Sequence, residues 1–254
     1  MNKVCITYPF FWFNRRLEYK VPTSWGELTP LQFVAIVGTV NGAVPDIRFL
    51  SAITGIGRRL LSKMHPYNIL KLSESISFVG NTGILHPEFI VRSLPGTNLV
   101  CPRPKLSNMQ FAQFIFADAY YMEWVKSKNE TTLNNFVATI FLNKGEKFDS
   151  EKVADRAVLV SKTGIGTRQA IAFNWGLVVT WLQKAYPLIF VAPSTEEDKN
   201  IKAVANAQSS WLKLFDSLVG DDLINRDRYA ELPVHSVFRH LTEKFKENSR
   251  LKSV

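Results

Sequence analysis

The chain has 254 residues, 46% of them hydrophobic and 21% charged, which is ample for a packed core and excludes a disordered chain. Its 31 Lys and Arg against 22 Asp and Glu give a formal charge of +9, a balance that favours a polyanionic or acidic partner. Two cysteines, Cys5 and Cys101, are too few for a disulfide framework or a cysteine-built zinc site, and both are expected to stay reduced.

Residues 3–21 read as a β-hairpin. KVCITYPFFWF is rich in β-branched and aromatic residues, and LEYKV alternates, with Asn14-Arg15-Arg16 as the expected turn. The run Phe10, Phe11, Trp12 and Phe13 cannot point to one side of a strand, because side chains alternate. These four, with Trp25, are the candidate surface for docking a partner. The same stretch is not read as a signal peptide, since its apolar run is aromatic and broken by Pro9.

Thr29-Pro30-Leu31-Gln32 predicts a helix start, with Thr29 as N-cap, Pro30 at the first position and Gln32 reaching back. The helix runs over Pro30–Val40 and stops at Asn41-Gly42. A second runs from Pro45 to Ile53, and a third over Pro66–Val79. No acidic residue lies between 47 and 73, where Arg48, Arg58, Arg59, Lys63 and Lys71 fall. Residues 84–105 read as irregular or strand-like and add Arg92, Arg103 and Lys105. Arg48, Arg58, Arg59, Lys63, Arg103 and Lys105 are the candidate contacts to a polyanion, made through charge alone because no base-reading motif is present.

In the second half, Ser107-Asn108-Met109-Gln110 reads as another capping box, opening a helix with a wide apolar stripe. Further helices are expected over Thr132–Leu142, from Asp149 or Ser150 to Val160, over 167–186, over about 195–218 and over Val234–Glu247, with a frayed tail. The helix over 167–186 is the longest apolar element. Asn174, Gln183, Lys184 and Pro187 interrupt the surrounding stretch, so it reads as buried in protein rather than in lipid, and no membrane span is expected.

The sequence Thr-Gly-Ile-Gly occurs at 54–57, followed directly by Arg58-Arg59, and at 163–166, followed by Thr167-Arg168. Neither copy matches a dinucleotide or Walker loop, and both read as turns between helices. His65, His86, His235 and His240 lack metal-ligand spacing, and no nucleophile motif is present. The expectation is a non-enzymatic protein without cofactor or metal. Its architecture is mainly α, a helical bundle-like fold with an N-terminal hairpin, divided into 1–28, 29–105 and 106–254.

Three sets of residues carry a family resemblance. They are Val21-Pro22-Thr23-Ser24-Trp25 with Glu27-Leu28-Thr29 and Gln32-Phe33; Leu133-Asn134 with Phe136-Val137-Ala138-Thr139 and Phe148; and Tyr186-Pro187, Phe190, Trp211 and Leu214. Together they resemble an uncharacterised family encoded in the tail region of tailed phages and prophages of Bacteroidetes. The first set is also similar to the start of phage tail assembly chaperones. The resemblance implies an assembly or structural protein of the tail or neck, in the virion or the host cytoplasm. It also implies other phage proteins, or further copies of the chain, as partners. It carries no catalytic residue. Non-specific binding of DNA is the alternative.

Overall fold

The computed structural model describes residues 1–10, 12–40, 47–81, 86–190 and 202–252. The fold is mainly α. The chain separates into two compact units, Met1–His86 and Pro87–Val254.

The first unit opens with a hairpin of strands β1 (Asn2–Phe10) and β2 (Phe13–Val21). The register pairs Phe10 with Phe13 and Ile6 with Leu17, so the reversal falls between Phe10 and Phe13 and not at Asn14-Arg15-Arg16 as the polar run suggested. The physical reason is face matching. This register puts Val4, Ile6 and Tyr8 on the same side as Leu17 and Tyr19. The opposite side is polar, with Lys3 paired to Glu18 at 3.6 Å and an Arg16 amine donating to the Cys5 sulfur at 3.3 Å.

After the hairpin, Thr23 donates its N–H and its hydroxyl to Glu27, at 2.7 and 2.9 Å, which tightens the turn around Trp25. Helix α1 (Pro30–Val40) begins as its sequence predicts. Thr29 N–H donates to the Gln32 side chain at 2.8 Å, and Gln32 N–H donates back to the Thr29 hydroxyl at 3.3 Å. Three further helices follow: α2 (Ile47–Thr54), α3 (Arg58–Leu61) and α4 (Pro66–Ser75). The expected start at Pro45 and the stop at Asn41-Gly42 lie outside the described residues. The first Thr-Gly-Ile-Gly is the turn from α2 to α3. Gly55 sits there at φ +72°, a conformation suited to a residue without Cβ. Helix α4 ends earlier than expected and continues as a 3-10 turn over Ser77–Gly80. The core of this unit is built on Trp25, whose ring meets Phe33 and Phe78 edge-on at 6.1 and 5.5 Å.

The second unit starts within the stretch 84–105, read from the sequence as irregular or strand-like. The short strands β3 (Leu99–Val100) and β4 (Leu142–Asn143) pair antiparallel. Between them lie α5 (Phe111–Ser127) and α6 (Glu130–Ile140), the latter capped by the Asn129 side chain accepting from Thr131 N–H at 2.7 Å. Then come α7 (Val153–Ser161), α8 (Ile165–Ala185), α9 (Lys202–Val219), α10 (Arg226–Glu231) and α11 (Val234–Lys252). The second Thr-Gly-Ile-Gly is the turn from α7 into α8. Helix α11 runs past the expected stop at Glu247, and the expected start of α9 lies outside the described residues.

The boundary at 105/106 is corrected to 86/87, and the hairpin shares a unit with α1–α4. Asn174 explains the first change. It sits fully buried in α8, accepts from Ile90 N–H at 2.7 Å and donates to Glu88 C=O at 2.9 Å, binding residues 88–90 to the second unit. The expected capping box at 107–110 is not formed. The Asn108 side chain is used by Arg103 N–H at 2.7 Å, and α5 begins where Phe111 N–H donates to Leu232 C=O at 2.8 Å. The aromatic core of the unit gathers Phe111, Phe114, Trp175, Trp211 and Phe238.

Candidate functional site

The inner face of the hairpin and two helices of the first unit enclose a groove of about 880 Å³. One wall is the apolar side of the hairpin: Val4, Ile6, Tyr8, Leu17 and Tyr19. The other comes from α3 and the turn after it (Arg59, Leu60, Lys63, Met64) and from one face of α4. That face is Asn68, Lys71, Leu72 and Ser75, the three- and four-residue spacing of a helical stripe. Val4, Tyr8, Leu17, Tyr19, Leu60 and Met64 are only half-buried, so the apolar floor is left partly uncovered.

The rim is basic. Arg59, Lys63, His65 and Lys71 line the groove, and no acidic residue is among the described lining. His65 is the N-cap of α4, with its Nδ1 accepting from Tyr67 N–H at 3.3 Å. The Lys71 ammonium lies 4.8 Å from the centre of the Tyr67 ring. Of the six residues expected to contact a polyanion, Arg59 and Lys63 meet at this groove. Arg48 and Arg58 are exposed on the same unit but do not line it, and Arg103 and Lys105 belong to the second unit.

Trp12, at the hairpin reversal, is 98% exposed, a position suited to meeting another molecule. Phe10 and Phe13 are the last paired residues of the strands, and Phe11 lies outside the described residues. Trp25 is corrected: at 1% exposure it is the centre of a core and offers nothing to a partner. Sequence periodicity could not separate the two tryptophans. Trp12 sits in an apolar run and Trp25 among Thr23, Ser24, Gly26 and Glu27, the reverse of their exposure, and only the pairing register puts Trp12 at a tip.

A second cavity, of about 550 Å³, lies in the second unit. Cys101 lines it, but burial pushes the thiol up to about 11 and keeps it protonated and unreactive. Its carboxylates are already engaged. Glu146 accepts from Arg156 at 2.9 Å, and Glu231 accepts from Lys147 at 2.9 Å. Arg156 itself is buried, and it also donates to Ala138 C=O at 2.9 Å and Asp149 C=O at 3.2 Å. That arrangement fastens a loop. Among the described residues, no cluster of His, Cys, Asp or Glu is placed to hold a metal, and no helix is long and apolar enough to cross a membrane.

Comparison with family models, with curated proteins and with solved structures finds no match to this chain.

Proposed function

We propose that this protein is a non-enzymatic assembly or structural component of the tail or neck region of a tailed phage. It acts through protein–protein contacts, in the virion or the host cytoplasm. The observation that carries the reading is the half-covered apolar groove beneath the hairpin, with Trp12 standing exposed at the hairpin's end. An uncovered apolar surface of this kind is the mark of a site that meets another macromolecule. The residues that resemble tail-region proteins supply the setting.

A second reading is non-specific contact with nucleic acid phosphates, favoured by Arg59, Lys63 and Lys71 around one groove. Solution mass from multi-angle light scattering separates the two, at low and high salt, with and without a DNA duplex. The first reading expects a mass that ignores the duplex at both salts. A mass that rises with the duplex at low salt and falls back at high salt establishes the second.

A further inference from the structure

We infer that the groove of the first unit receives an amphipathic helix with acidic flanks, contributed by a partner protein. The inference rests on the assembly reading and names the chemistry of that partner. Three observations carry it.

The first is shape. Side chains wall the groove on both sides, the hairpin's inner face against the stripe Asn68, Lys71, Leu72 and Ser75. An added strand would need the open backbone of a strand edge, whereas a helix needs an apolar trough for side chains spaced at three and four residues. The trough is what the hairpin and α4 provide.

The second is the floor. Val4, Leu17, Leu60 and Met64 offer half-buried aliphatic surface over the buried Ile6 and Leu72, beside the rings of Tyr8 and Tyr19. Nucleic acid makes little use of the aliphatic part, since its backbone asks for charge and its bases for aromatic faces, which Tyr8 and Tyr19 supply in the lining. Leucine-like anchors of a helix would cover it and remove it from water.

The third is charge. Arg59, Lys63 and Lys71 stand at the rim without a carboxylate among the described lining residues, within a stretch free of acidic residues from 47 to 73. Rim charges steer encounter and set which partner is accepted. Acidic residues flanking the apolar stripe of the incoming helix complement these cations, and basic ones are repelled.

The test uses the full chain and three labelled probes, followed by fluorescence anisotropy. One probe is a Leu/Glu amphipathic peptide of about 18 residues, long enough to hold a helix. The second is the same peptide with every Glu replaced by Lys, and the third is a single-stranded oligothymidylate. The acidic peptide is expected to bind at least about tenfold more tightly than the basic one. Met64→Glu is expected to weaken the acidic peptide by about tenfold or more at any salt.

The double variant Arg59→Glu, Lys63→Glu is expected to lose the acidic peptide and gain the basic one, a reversal that misfolding cannot produce. Circular dichroism checks that both variants keep their helix. Equal binding of the two peptides, or an acidic-peptide affinity untouched by Met64→Glu and the charge reversal, overturns the inference. So does an oligothymidylate that binds wild type and Met64→Glu alike and is lost on charge reversal, because that is a phosphate site. The assembly reading fails separately, if tails form normally without the gene. The peptide result does not depend on that outcome.

Discussion

Asn174 is a polar residue at the centre of α8, the longest of the described helices, and its removal is the sharpest test of how the second unit is held together. The side chain is fully buried and satisfies two backbone groups of the segment before β3, Ile90 N–H and Glu88 C=O. Asn174→Ala leaves both without a partner. A buried donor stranded in this way costs about 1–3 kcal/mol. Glu88 is half-buried, so water can reach its carbonyl and the second cost is smaller. The expected loss is about 2–4 kcal/mol, which for a unit of this size lowers the melting temperature by about 4–16 °C.

Urea unfolding followed by tryptophan fluorescence and circular dichroism measures it, with four of the six tryptophans reporting on the second unit. Asn174→Asp keeps an acceptor for Ile90 but loses the donor and faces a carbonyl with a carboxylate. That variant is expected to be destabilised at neutral pH and to recover as pH falls and the new carboxyl takes a proton. A loss below about 0.5 kcal/mol for Asn174→Ala, the range of ordinary surface changes, would refute the reasoning.

Two other predictions rest on single side chains. Trp25→Ala is expected to cost about 3–5 kcal/mol, because it empties the space between Phe33 and Phe78. Trp12→Ala is expected to stay within about 0.5 kcal/mol of wild type, and thermal melts of the two variants side by side check the contrast. Asp118 accepts from the Trp211 indole N–H at 2.8 Å and joins α9 to α5. Burial pushes its pKa above the ordinary carboxylate value, against the opposing pull of Trp211 and of the nearby Trp175 indole, which does not reach hydrogen-bond geometry. The folded protein therefore keeps this proton at a pH where the unfolded chain has released it. Stability from this group falls as pH climbs from the ordinary value to the raised one, and is flat beyond it. Asp118→Asn keeps the acceptor without the charge. It is expected to be the more stable form at neutral pH, with the difference shrinking in acid, as melts across pH would record.

Much of the helical framework is legible because its signals are local. Thr29, Pro30 and Gln32 carry the start of α1 within four residues, and the bonds they form are the predicted ones. The hairpin reversal was not legible, since Asn14-Arg15-Arg16 has turn chemistry and 11–12 is apolar. What decides it is which residues share a face. A reversal at Asn14–Arg16 would set Leu17 and Tyr19 opposite Phe13 and Phe11 instead of Ile6 and Val4. The start of α5 failed for a similar reason. Ser107-Asn108-Met109-Gln110 has the pattern of a cap, but residues 109 and 111 form backbone bonds with 232 and 234, more than a hundred residues away. The groove is the extreme case. Each of Arg59, Lys63 and Lys71 reads as an exposed cation, and only the packing of α3 and α4 against the hairpin sets them around one apolar floor.

The account turns on assembly through this surface, and disruption of the coding gene in a lysogen that carries it tests that most directly. Particles released after induction are counted by negative-stain electron microscopy, with complementation by wild type or by the Arg59→Glu, Lys63→Glu variant. The account predicts particles without tails or with aberrant ones, restored by wild type and not by the variant. Normal tails in the disrupted strain would contradict it.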